Sequence, residues 1–159
     1  MFTRTKIYDV GRRAAKIDAN KLFAKIWRLE NVQKYIIELN TKEQLFENSV
    51  DSYGKQLIYK KNGFGYSPKT YEIKNGVKFD GARFSIGQTY TLRDSGQFFK
   101  SFEVKVNSTG FEIIADGYNN NVFANFGEQV LGLTDESKGK LIEYILPLLA
   151  DELENYILN

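Results

Sequence analysis

Cysteine and histidine are both absent from these 159 residues. Without cysteine the chain has neither disulfides nor thiolate metal sites. Without histidine it lacks the usual general base at neutral pH, the common zinc ligand and any serine–histidine triad. No apolar run is long enough to span a bilayer and no signal-peptide pattern opens the sequence, so no membrane association is expected. Proline occurs only twice, at Pro68 and Pro147. What remains is ordinary: 42% hydrophobic and 26% charged residues are too balanced for a disordered chain. The length suits a single domain, 1–159, with a real core.

The net charge of +2 hides an asymmetry. Residues 1–30 carry eight basic side chains (Arg4, Lys6, Arg12, Arg13, Lys16, Lys21, Lys25, Arg28) against Asp9, Asp18 and Glu30. Residues 133–159 carry six acids (Asp135, Glu136, Glu143, Asp151, Glu152, Glu154) against Lys138 and Lys140. Two readings stand side by side. A basic head and an acidic tail suit head-to-tail self-association, with Arg12 and Arg13 on one copy facing Asp151 and Glu152 on the next. Alternatively, both are solvated helix faces.

Along the chain, residues 1–11 alternate loosely at Phe2, Ile7 and Val10 and read as an edge strand or an arm. Helical spacing follows at Leu22, Ile26, Leu29, Ile36 and Ile37, with Phe23 and Trp27 flanking and Asn31 as a cap after a kink. Thr41 and Gln44 match a capping box that opens a short helix through Phe46. From 48 to 88 periodicity fades into an extended loop. Seven glycines and prolines, from Gly54 to Gly87, punctuate it, and it carries Tyr53, Tyr59, Phe64, Tyr66, Tyr71, Phe79 and Phe84. So many rings need a surface, and a neighbouring subunit would provide one, with Tyr66 and Tyr71 as contact candidates.

Thr89–Leu92 is strand-like. Phe102–Asn107 and Phe111–Ala115 form the clearest hairpin, with Phe102, Val104 and Val106 on one face. Asp116–Asn121 reads as a polar turn and Val122–Gly127 as a short strand or turn. Thr134 is placed to cap a C-terminal amphipathic helix, with Asp135 and Glu136 at its positive end. Pro147 is expected to kink or break that helix after Tyr144. The expected fold class is α+β: N-terminal helices, a small antiparallel sheet, a long glycine- and aromatic-rich loop and the C-terminal helix.

Three places in the sequence invite reactive chemistry. Asp151, Glu152 and Glu154 fall on different sides of a helix and read as a solvated end, not as metal ligands. Asp94 and Ser95 have no histidine or suitable lysine to relay a proton. Gly63-x-Gly65 lacks the Gly-Lys-Ser/Thr of a phosphate loop. Neither a catalytic residue nor a cofactor or metal is therefore expected. Tyr59-Lys60-Lys61 and Lys69 through Lys78 interleave charge with rings, a mixture that can stack bases and bind phosphate. A small DNA-binding module using residues 59–78 is the alternative reading, set against lysine stems lying over rings at a protein surface.

Three stretches carry a family likeness. The first is Leu92-Arg93-Asp94-Ser95-Gly96-Gln97-Phe98-Phe99-Lys100-Ser101-Phe102, in which Asp94 and Ser95 can cap one helical turn and Gly96 permits a tight bend. The second is Phe126-Gly127 followed by Leu131-Gly132-Leu133-Thr134, just before the last helix. The third is Asp51-Ser52-x-Gly54, then Tyr66-Ser67-Pro68-x-Thr70 and Lys74. This ordered set resembles the signature of tailed-phage virion-morphogenesis proteins, the small neck or tail-completion components of the head–tail junction. The resemblance implies a non-enzymatic protein in the virion, assembled in the bacterial cytoplasm as a homo-oligomeric ring. It further implies as partners the head connector or adaptor and the tail-tube or tail-terminator proteins, with possible non-specific contact to passing genomic DNA. Its motif residues here are Leu92, Asp94, Ser95, Gly96, Phe98, Ser101, Phe102, Gly127, Leu131, Gly132, Leu133 and Thr134.

Overall fold

The computed structural model describes the backbone of residues 4–58, 90–92, 96–117 and 121–158, and the side chains of all these except 4–7 and 121. Helices α1 (Arg4–Ala14), α2 (Ala19–Trp27) and α3 (Glu30–Glu38) come first. The expected strand or arm at the N-terminus is instead helical from Arg4. Ile7, Val10 and Ala14 sit at i, i+3 and i+7, and Asp9 pairs with Arg12 one turn on at 3.5 Å. Asp18 caps α2 by accepting from the Lys21 N–H. Asn31 is not a cap: α3 begins at Glu30, after Leu29 in an extended conformation.

The helix does not restart at Thr41. It continues from α3 into a π-helical stretch, Leu39–Glu47, and the Thr41 hydroxyl bonds back to the Ile37 carbonyl at 2.7 Å. The capping-box pattern was met, but the backbone donors it would serve are already inside a running helix.

Short α4 (Gln97–Lys100) leads to the hairpin β1 (Glu103–Val106) and β2 (Phe111–Ile114), paired antiparallel with Glu103 opposite Ile114 and Val106 opposite Phe111. Burial alternates from Phe102 through Val106 as period two requires. Val122–Gly127 is not a strand. Residues Asn121–Phe126 form α5, in which Val122 and Phe126 share a face four residues apart. A 3₁₀ turn (Glu128–Val130) then leads to α6 (Asp135–Leu158).

Thr134 caps α6 by accepting from the Ser137 N–H at 3.2 Å. The helix passes through Pro147 without ending there. Pro147 lies on the exposed side, so water can serve the Glu143 carbonyl that proline leaves without a donor.

The core joins Ile26, Val32, Ile36 and Leu39 to Phe98, Phe102 and Ile113 of the hairpin region and to Leu141 and Ile145 of α6. Each such side chain contributes roughly 1.5–3 kcal/mol through burial. Trp27 meets Phe111 edge to face at 5.0 Å, and Phe98 meets Phe102 in the same way at 5.0 Å. The α+β reading holds.

Candidate functional site

The π-helical stretch turns two amide side chains inward. Asn40 is wholly buried and Gln44 is 1% exposed. The wider turn of a π-helix brings residues four apart nearly into line. Both amides face one segment, Val130–Thr134, between the 3₁₀ turn and the cap of α6. Asn40 donates to the Val130 carbonyl (3.1 Å) and accepts from the Gly132 N–H (3.1 Å). Gln44 donates to the Gly132 carbonyl (2.9 Å) and accepts from the Thr134 N–H (2.9 Å).

Each amide thus supplies the donor–acceptor pair that a neighbouring strand would have offered. Four backbone groups, one buried and three part-buried, are satisfied by two side chains.

The first part of the expected loop is folded against this segment. Asp51 is buried, and its carboxylate accepts from the N–H groups of Tyr53 and Lys55, both at 2.9 Å. Val50 pairs with Gln56 across the turn, and the Val50 N–H donates to the Gln44 carbonyl. The Ser52 N–H donates to the Gln129 carbonyl at 2.8 Å. Gly132 makes that approach possible: its φ is +118°, and a Cβ there would stand 3.2 Å from the Ser52 Cβ. Parts of two of the three family-like stretches, Asp51–Gly54 and Leu131–Thr134, are therefore built into one unit.

The remaining stretch lies on the other side of the π-helical segment. Thr41, Lys42 and Phe46 share a hollow with Gly96, Phe99 and Lys100. Gly96 precedes α4 with φ +79°, the left-handed bend expected of it. Leu92 is left-handed as well, at φ +54°. Ser101 donates to the Phe98 carbonyl at 2.6 Å and accepts from the Asp116 N–H at 3.0 Å, which fastens α4 to the end of the hairpin. Phe98 and Phe102 are buried, as are Leu133 and Val130 across the core. Gly127 follows α5 with a positive φ of +87°, which favours glycine. Asp94, Ser95, Tyr66 and Tyr71 lie outside the described residues, as does the basic and aromatic segment 59–78.

The charged ends meet inside the chain. Both α1 and α2 pack on α6, and Lys25 pairs with Glu152. That part of the head-to-tail complementarity is therefore used within one subunit, because the two termini fold side by side. Arg12 pairs with Asp9, Asp151 is exposed, and Arg13 is half-buried with one guanidinium nitrogen enclosed and without a hydrogen-bond partner among the described residues. On the other side of α6, Lys140 bridges Glu43 and Glu136 at 2.6 and 3.2 Å, and these hydrogen bonds raise its pKa above the ordinary lysine range.

Sequence reading missed the amide pair altogether. The stretch Leu39–Glu47 is mostly polar, so nothing in its local pattern singles out Asn40 and Gln44. Among the described residues no group of acidic side chains is placed to hold a metal, and no described helix is long and apolar enough to cross a membrane. Comparison with protein-family models, with curated proteins and with solved structures finds no match.

Proposed function

We propose that this protein is a non-enzymatic structural component of a tailed-phage or prophage virion, a neck or tail-completion subunit that joins tail to head connector as an oligomeric ring. One observation carries the reading. Parts of the stretches that resemble the family signature, far apart in sequence, gather around a single π-helical segment, where their glycines, serine and aspartate do architectural work. Asp51 caps a turn, Gly132 leaves room for the Ser52 side chain and Ser101 locks a helix to a hairpin. These are the duties of a scaffold with a fixed shape. π-Helical turns are frequent at functional positions, and here the widened turn is the part to which the rest is fastened.

The test is genetic. Deleting the gene from its phage should give lysates in which filled heads and finished tails accumulate apart under the electron microscope. A plasmid copy should restore joined, infectious particles that contain the protein. Joined particles from the deletion strain would sink the proposal.

A further inference from the structure

Helix α6 is apolar on two sides and covered on one. Leu141 and Ile145 face the core, whereas Ile142 and Leu146 are each 55% exposed. Ile142, Leu146 and Ala150 recur every four residues and so form one outward stripe, with Glu143 and Glu154 exposed along its edge. A helix apolar around most of its girth is normally enclosed.

A complementary surface exists on the same chain. Between α2 and the turn of the hairpin lies a hollow of about 420 Å³, floored by Phe23, Ala24, Trp27 and Phe111. Phe23 is 40% exposed although it stacks on Trp27. The adjoining rim carries Lys21 and Arg28, both exposed, with Asp18 at 3.7 Å from Lys21. One surface is an apolar ridge with an acidic edge; the other is an aromatic trough with a basic edge.

The geometry points to docking of the α6 stripe into the Phe23–Trp27–Phe111 trough of a second copy of this chain. Charge complementarity selects the occupant: Glu143 and Glu154 meet Lys21 and Arg28. Ridge and trough are different patches, so the contact is heterologous. Each copy keeps one of each surface free, and such contacts propagate or close into a ring. The inference rests on the oligomeric reading above and supplies its interface.

Sedimentation velocity on the full chain tests it, with two variants that each disable one surface. Ile142→Ser/Leu146→Ser removes the ridge, and Phe23→Ser/Lys21→Glu spoils the trough. Circular dichroism should show both folded, since the altered residues are at least partly exposed. Wild-type protein should assemble beyond a dimer, and each variant alone should sediment as a monomer. Mixed in equal amounts, they should form a dimer and nothing larger, because only one competent ridge–trough pair remains. Arg28→Glu should raise the dissociation constant of the wild-type contact at least tenfold at low salt. Wild-type assembly that persists in both variants would overturn this interface while leaving the oligomeric reading intact. A monomeric wild type, or a mixture that stays monomeric, would also overturn it; the first result alone removes the ring as well. Failure of head–tail joining is read on particles, so the two ideas fail separately.

Discussion

Asn40 and Gln44 are polar and enclosed; Ile142 and Leu146 are apolar and face water. Both pairs invert the usual partition of side chains, and such inversions are informative in a way that an ordinary core is not. The amide pair is complete within the chain. Its donors and acceptors on both side chains have partners among Val130, Gly132 and Thr134. The α6 stripe has no such closure among the described residues. The first inversion therefore concerns how the fold is held, and the second concerns what the fold can hold onto.

The largest effect should come from breaking the amide pair. Asn40→Leu keeps approximate volume but strands the Val130 carbonyl and the Gly132 N–H. Each stranded group costs about 1–3 kcal/mol, so a loss of about 2–6 kcal/mol is expected in denaturant unfolding. Gln44→Leu should act similarly through Gly132 and Thr134. Because the two amides share Gly132, the double variant should lose less than the sum. A loss under about 1 kcal/mol from either single change would show that water replaces the amide, and the contrast with the α6 face would collapse.

Gly132→Ala should come next, at about 2–3 kcal/mol, and exceed Gly96→Ala at about 1 kcal/mol. Both glycines have positive φ, but a Cβ at Gly96 meets nothing within 4 Å, whereas at Gly132 it presses on Ser52. Equal losses in the two variants would mean that backbone strain alone decides and that the Ser52 approach is soft.

These two sites also show what a sequence can disclose. The hairpin was legible because period-two burial is written into Phe102–Val106 itself. The Thr134 cap was legible for the same reason: its partner, Ser137, is three residues away. Gly96 could be read as a bend from its neighbours. Asn40 and Gln44 could not, since their partners lie about 90 residues along the chain. Local pattern even misled there, because Thr41 and Gln44 imitate a capping box. The N-terminal helix and α5 were missed where an i, i+3 or i, i+4 pair was too short to outweigh a loose alternation. At Pro147 the expected break ignored which way the proline faces.

A smaller effect should follow at the ion-paired edge of the hub. Lys140 ties α6 to Glu43 in the π-helical stretch and to Glu136 in its own first turn. Its pKa is raised in the folded protein, chiefly by the hydrogen bond to Glu43 and then by that to Glu136. The sign follows directly. A raised lysine pKa stabilises the folded state fully below the unfolded value of 10.5, and the benefit is lost as pH climbs through the folded value. Lys140→Met should thus be slightly less stable than wild type at pH 7 and pH 9 by the same margin, and the gap should narrow only above about pH 10.5. Because the pair is screened by solvent, the margin should be smaller than in either variant above. A gap that closes before pH 9 would exclude Lys140 as its source.

The smallest effect on the isolated chain is expected at the α6 stripe, and there the dependence on concentration matters more than the size. Leu146→Ser removes an exposed side chain, so at high dilution its unfolding free energy should match wild type within about 0.5 kcal/mol. If copies associate through that face, the wild type gains apparent stability as protein concentration rises, because association draws on the folded state alone. The variant should gain nothing. Two melting series, each spanning a hundredfold range of concentration, would therefore diverge upward from a common origin. Curves already separated by about 2 kcal/mol at the lowest concentration would place Leu146 under cover within its own chain. The stripe would then be a second piece of internal architecture, like the amide pair, and α6 would offer no surface to a neighbour.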